Sequence, residues 1–214
     1  MRYLIVCGGK TDKEFGLNEI KTDGIDAIIA ADSGMDFLYE NDVTPDIIVG
    51  DFDSATTKAL EYFERKGQTE IRRLNPIKDD TDTEYAIRLA ISEGARSIVV
   101  LGATGSRIDH VLGNISLLGI GLESGTDISI IDTNNRIRMA DKPVTIEKSA
   151  QYGRFVSLIA LTDDNEVSLK GFKYPVTDYS FDRFTSLGIS NEIVDDHALI
   201  DIHRGKFIII ESKD

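Results

Sequence analysis

The chain is poor in the residues that make the commonest dedicated sites. Its 214 residues hold no tryptophan, one cysteine, four prolines and three histidines. A lone cysteine, Cys7, can close no internal disulfide. It ends the apolar run Tyr3-Leu4-Ile5-Val6-Cys7, where a thiol packs as a small, inert hydrophobe. The histidines form no cluster that would suit zinc, and no Ser/His/Asp set has a recognisable context. Basic residues are also scarce, 24 against 37 acids, for a formal charge of −13. That excludes general binding to nucleic acid or an anionic membrane, both of which need a basic surface. An anionic small substrate is still admissible, because a bound divalent cation reverses the local field. No apolar run approaches the roughly 18 residues of a membrane span. The opening MRYLIVCGGK is too short for one and reaches Lys10 without a small-residue cleavage site. It reads as a first strand rather than a signal peptide, and a soluble, cytoplasmic chain is expected.

With 41% hydrophobic and 29% charged residues, the chain has enough apolar material for a packed core. Over the first two-thirds, short apolar runs at 3–7, 26–31, 46–49, 70–74, 97–101 and 127–132 alternate with helical patterns near 33–41, 55–66, 82–93 and 109–123. The clearest helix is 82–93. Ala86, Leu89, Ala90 and Glu93 recur at 3/4 spacing, and Gly94 supplies a stop. Such alternation predicts an α/β domain, a mostly parallel sheet with helices on both faces. Ligands of such sheets gather at the carboxyl ends of the strands. After about residue 133 no helix-length period remains. Runs at 136–139, 144–147, 154–161, 166–170, 198–203 and 206–211 are separated by turn formers and predict a C-terminal all-β sandwich or barrel. The boundary is expected at Asp132-Thr133-Asn134-Asn135, giving domains 1–133 and 134–214.

The acids are unevenly placed. Asp32, the pair Asp51 and Asp53, the group Asp79, Asp80 and Asp82, and Asp109 each follow a predicted strand. Four successive strand-to-helix loops therefore carry carboxylates to one sheet edge. Any single Asp there can be a helix N-cap. Asp53 or Ser54 would cap helix 55–66, and Asp80 or Thr81 would cap 82–93; Asp79 and Asp80 read as solvent-facing. Taken together, clustered carboxylates repel unless a cation neutralises them, and an oxygen-rich cluster suits Mg²⁺.

The loop Gly102-Ala103-Thr104-Gly105-Ser106-Arg107-Ile108-Asp109-His110 reads as a phosphate cradle. Its glycines admit backbone N–H groups to an anion at a helix start, and Arg107 adds a planar fork. It matches neither GxxxxGK[ST] nor GxGxxG, so a P-loop nucleotidase is disfavoured. His110 reads as a structural hydrogen-bonder at the helix start.

Taken in order, ADSG at 31–34, PD and GDFDS within 45–54, DDTDTEYA at 79–86 and GATGSRIDHVLGNI at 102–115 resemble the thiamine pyrophosphokinase family. A weaker match is Ile189-Ser190-Asn191-Glu192. The family often has Gly where Ser33 stands. With no tryptophan, aromatic packing on thiamine would fall to a residue such as Tyr179, Phe181 or Phe184. The resemblance implies transfer of the β,γ-pyrophosphoryl group of ATP to the thiamine hydroxyl, with release of AMP. It implies that Asp32, Asp51, Asp53 and Asp82 hold Mg²⁺, that Thr81, Arg107 and Asp109 contact ATP, and that Ser190 and Asn191 contact thiamine. Asp51, Asp53 and Asp82 would be the catalytic acids, the proton acceptor being open between Asp51 and Asp53. It also implies a homodimer whose site lies at the subunit interface, the β domain of one chain completing the site of the other. Two other readings were weighed. An Mg²⁺-dependent aspartyl phosphatase would use the DxD of GDFDS, but leaves the GATGSRIDH loop and the β domain unexplained. A non-catalytic nucleotide or thiamine sensor would have no need of every acid.

Overall fold

The computed structural model describes residues 1–52, 57–75 and 80–214. The chain divides into two compact units, Met1–Thr133 and Asn134–Asp214.

The first unit alternates β1 (Arg2–Val6), α1 (Lys13–Ile20), β2 (Ala27–Ala31), α2 (Gly34–Glu40), β3 (Ile47–Gly50), α3 (Thr57–Lys66), β4 (Glu70–Arg73), α4 (Asp82–Ser92), β5 (Ser97–Leu101), α5 (Ile108–Ser124) and β6 (Asp127–Ile131). Its strands run β6-β5-β1-β2-β3-β4, every pair parallel. β1, β3 and β5 are buried along most of their length, as strands covered on both faces must be. β4 closes one edge with charge instead: Arg72 Nε lies 2.6 Å from Glu70 Oε1, which discourages further pairing. The chain order reverses between β1 and β5, the position at which sheets of this kind take their ligands.

The expected strands and helices are present, with ends shifted by a residue or two. The expected start of the third helix, at 55, falls outside the described residues. α4 begins where Thr81 Oγ1 accepts the Glu84 N–H at 3.2 Å, so of the two caps considered the threonine serves. Its buried side holds Ala86, Ile87, Leu89 and Ala90. α1 was not anticipated. Gly16 interrupts its short, weakly amphipathic sequence, and what starts it is Asp12, whose Oδ1 accepts the Phe15 N–H at 2.9 Å.

The second unit contains β7 (Asn135–Ala140), β8 (Val144–Glu147), β9 (Phe155–Ala160), β10 (Glu166–Lys170), β11 (Val176–Ser180), β12 (Asn191–Glu192), β13 (His197–Arg204) and β14 (Phe207–Ser212). They form two antiparallel arrays, β12-β9-β14-β7 and β11-β10-β13-β8. Val156, Leu158, Phe207 and Ile209 of one meet Ile146, Val167, Leu169, Ala198 and Ile200 of the other in a common core, a sandwich. β11 and β12 escaped the sequence reading because Val176–Ser180 is mostly exposed and Asn191–Glu192 is only two residues long.

Candidate active site

Three acids from three loops meet at the carboxyl edge of the parallel sheet. Asp32 follows β2, Asp51 follows β3 and Asp82 opens α4. One carboxylate oxygen from each lies within 4.8 Å of the others. The backbone forces this approach. Asp32 takes a left-handed φ of 50° while its N–H donates to Val49 O at 2.8 Å, so the β2 loop turns onto the end of β3. Gly34 lets α2 begin against β1, because a Cβ there would lie 1.9 Å from Val6 O. Asp82 is aimed by the Thr81 cap.

The electrostatics fit a cation. Asp32 is partly buried, and its Oδ1 has no hydrogen-bond partner among the described residues. Burial raises the Asp32 pKa first; the Ser33 backbone N–H opposes this, and the charges of Asp82, Asp51 and Asp36 add to it. Three clustered carboxylates, one of them with an unpartnered buried oxygen, make a hard, anionic donor set of the kind Mg²⁺ takes. Nearby, Cys7 is buried, its Sγ accepting from Thr83 Oγ1 at 3.4 Å. Burial pushes its pKa up to about 11, so it is an inert core thiol, as expected.

Of the other expected site residues in this unit, Asp53 lies outside the described residues, as do Ser54 and Asp79. Asp80 is exposed. Arg107 and Asp109 pair at the start of α5, Nη2 to Oδ2 at 2.6 Å, both about two-thirds exposed. The Arg107 hydrogen bond holds the Asp109 carboxyl below its usual range. His110 is exposed in the same turn.

In the second unit, Ser190 and Asn191 behave differently from each other. Ser190 is exposed, with a left-handed φ of 60°, and its N–H donates to Ser157 Oγ at 2.9 Å. Asn191 is buried and its amide is used internally. Oδ1 accepts from Tyr174 N at 3.0 Å and Glu192 N at 2.9 Å, and Nδ2 donates to Tyr174 O at 2.9 Å. The Asn191 amide thus clamps the backbone of Tyr174. Phe181, one of the aromatics considered for thiamine, is a core residue, 4% exposed, edge-on to Tyr179 and Phe207. Tyr179 and Phe184 are exposed, and so is Tyr174. Lys173-Tyr174-Pro175 reads as a plain loop in the sequence, and the link to Asn191 is what distinguishes Tyr174 in the structure.

A parallel α/β sheet with carboxylates converging at its strand ends, and a glycine-rich loop beside the strand-order reversal, is the arrangement of an α/β enzyme whose site suits phosphorylated substrates. The sequence model described as thiamin pyrophosphokinase, catalytic domain, matches residues 21–130, and that of the thiamin pyrophosphokinase vitamin B1 binding domain matches 143–207. A Bacillus subtilis (strain 168) thiamine pyrophosphokinase is 34% identical over 188 residues, 87% of each chain. The crystal structure of thiamine pyrophosphokinase from Bacillus subtilis superposes with a TM-score of 0.89 at 31% identity, covering 100% of both chains. That of the Geobacillus thermodenitrificans enzyme gives 0.86 at 28%, covering 100% of this chain and 98% of the other. The chain belongs to the thiamine pyrophosphokinase family.

Proposed function

We propose that the two units divide one reaction, residues 1–133 receiving ATP and Mg²⁺ and residues 134–214 receiving thiamine. The chain is a thiamine pyrophosphokinase, a transferase that moves the pyrophosphoryl group of ATP to the thiamine hydroxyl to give thiamine diphosphate and AMP. The observation that carries the site assignment is the convergence of Asp32, Asp51 and Asp82, with Asp53 assigned beside them from the sequence motif. Asp32, Asp51 and Asp82, with Asp53, would hold a divalent ion there, and it would supply charge neutralisation for the phosphates. The protein's own work is then positioning. Arg107 offers its fork to phosphate oxygens, and Asp109 keeps that fork oriented until the nucleotide arrives. Thr81 holds Asp82 at the head of α4 and faces the nucleotide. Asp51 or Asp53 takes the hydroxyl proton.

In the second unit, Ser190 presents its hydroxyl to thiamine. Asn191 acts through Tyr174, whose exposed ring supplies the aromatic wall that no tryptophan provides. The acidic surface favours arrival of cationic thiamine. The working enzyme is a cytoplasmic homodimer in which one chain's β unit completes the other's site; sedimentation as a single 23.6 kDa chain under assay conditions would contradict that part. Among the described residues no helix is long and apolar enough to cross a membrane.

Product analysis tests the reading. ATP and Mg²⁺ should yield AMP and thiamine diphosphate only when thiamine is present. Formation of ADP with thiamine monophosphate, or full activity in excess EDTA, would overturn it.

A further inference from the structure

We infer that Asn114 and Asp132 are positioning residues for ATP, pinning the base of the β5–α5 loop so that its tip meets phosphate already in place. The inference rests on the reading that puts Arg107 on ATP. Three successive residues of this loop are each tied to a different element. Gly102 O accepts the Gly9 N–H, from the loop after β1, at 2.9 Å. Ala103 O accepts Asn114 Nδ2, from the second turn of α5, at 2.8 Å. Thr104 Oγ1 donates to Asp132 Oδ2, just beyond β6, at 2.8 Å. The seat is tight. Gly102 has a φ of 66°, and a Cβ there would fall 2.3 Å from Cys7 O.

Beyond Thr104 the character of the loop changes. Gly105, Ser106 and Arg107 are exposed, and Arg107 pairs with Asp109 beside it. A tied base thus carries an open tip, whose guanidinium is held by Asp109, next to the reversal of strand order between β1 and β5. A glycine-rich loop left loose would have to be ordered on binding, at the expense of affinity; one anchored at consecutive residues has that ordering built into the fold. Asp132 is another carboxylate at this sheet edge, yet it lies outside the trio that comes within 4.8 Å. Its bond to Thr104 gives it a different task, holding the loop.

The test compares Thr104→Val, Thr104→Ser, Asn114→Leu and Arg107→Ala in the full-length enzyme, by KM for ATP, KM for thiamine and Tm. Loss of one hydrogen bond should raise the ATP KM about 3- to 10-fold in Asn114→Leu, where both partners are neutral, and about 10-fold or more in Thr104→Val, whose acceptor is a carboxylate, with the thiamine KM moving less than about twofold. Thr104→Ser, which keeps the hydroxyl, should recover ATP affinity. Asn114→Leu removes a donor from a buried carbonyl and can fail to fold; the near-isosteric Thr104→Val then carries the test alone. An unchanged ATP KM in Thr104→Val, a parallel rise in both KM values with a fall in Tm, or a serine variant as impaired as the valine would overturn the inference. If Arg107→Ala leaves the ATP KM unchanged, the assignment of this loop to ATP fails. If Arg107→Ala raises it and Thr104→Val does not, only the anchoring role fails.

Discussion

Asp32 combines two unfavourable features at one residue: a left-handed φ of 50° and a buried oxygen without a partner among the described residues. Structures keep such features where function requires them. The pKa shift of this residue has a consequence for stability. Burial raises the Asp32 pKa above its ordinary value, with Asp82, Asp51 and Asp36 adding to the effect. A carboxyl whose folded pKa exceeds its unfolded one stabilises the fold below the unfolded pKa, and that contribution is lost as pH rises through the folded value. Asp32→Asn is neutral throughout, and Asn tolerates the left-handed region. In EDTA, the Tm of Asp32→Asn should match wild type at about pH 3.5, below the ordinary aspartate value, and exceed it at neutral pH. An advantage confined to acid would contradict the account. Activity in the same variant should fall, since Asp32 is one of the three carboxylates that converge at the strand ends.

Elements in this chain were legible where one physical pattern dominated. β1, β3 and β5 are continuous apolar runs because both faces are buried, and α4 shows its 3/4 period, its cap and its stop. α1 was not legible, since a capping Asp12 and tertiary packing hold a sequence broken by Gly16. β12 was not legible because it is two residues long, and Asn191 inside it makes bonds to Tyr174 that no local pattern encodes. The carboxylate convergence was readable, since Asp32 and Asp51 directly follow strands and Asp82 opens the next helix on the same sheet edge. The loop anchors were not, because Asp132 and Thr104 are 28 residues apart and neither looks unusual locally.

One long-range tie between elements sets a further expectation. Glu211 of β14 is fully buried and bonded to Arg136 and Arg138 of β7, with Arg136 Nη2 at 2.7 Å from Oε2 and Arg138 Nη2 at 2.8 Å from Oε1. It also accepts from Tyr152 N at 2.9 Å. Glu211→Gln removes the charge that both guanidinia face. The loss should be about 3 kcal/mol in urea unfolding, the low end for a broken buried pair, because both arginines keep about a quarter of their side-chain surface in water. A loss below about 1 kcal/mol would show that water already screens the pair.

For the whole molecule, composition and architecture point the same way. A chain of net charge −13 that handles a triphosphate needs a local reversal of field, and the edge of the parallel sheet concentrates acids where a divalent ion would provide it. The central claim is that Asp32, Asp51 and Asp82 together hold that ion. Electron paramagnetic resonance of free Mn²⁺, titrated into the protein in the presence of an ATP analogue that cannot be cleaved, measures it directly. Wild type should lower free Mn²⁺ beyond what the nucleotide alone takes up, and the Asp32→Asn/Asp51→Asn/Asp82→Asn variant, with an unchanged circular dichroism spectrum, should not. Equal uptake by the two proteins would contradict the claim.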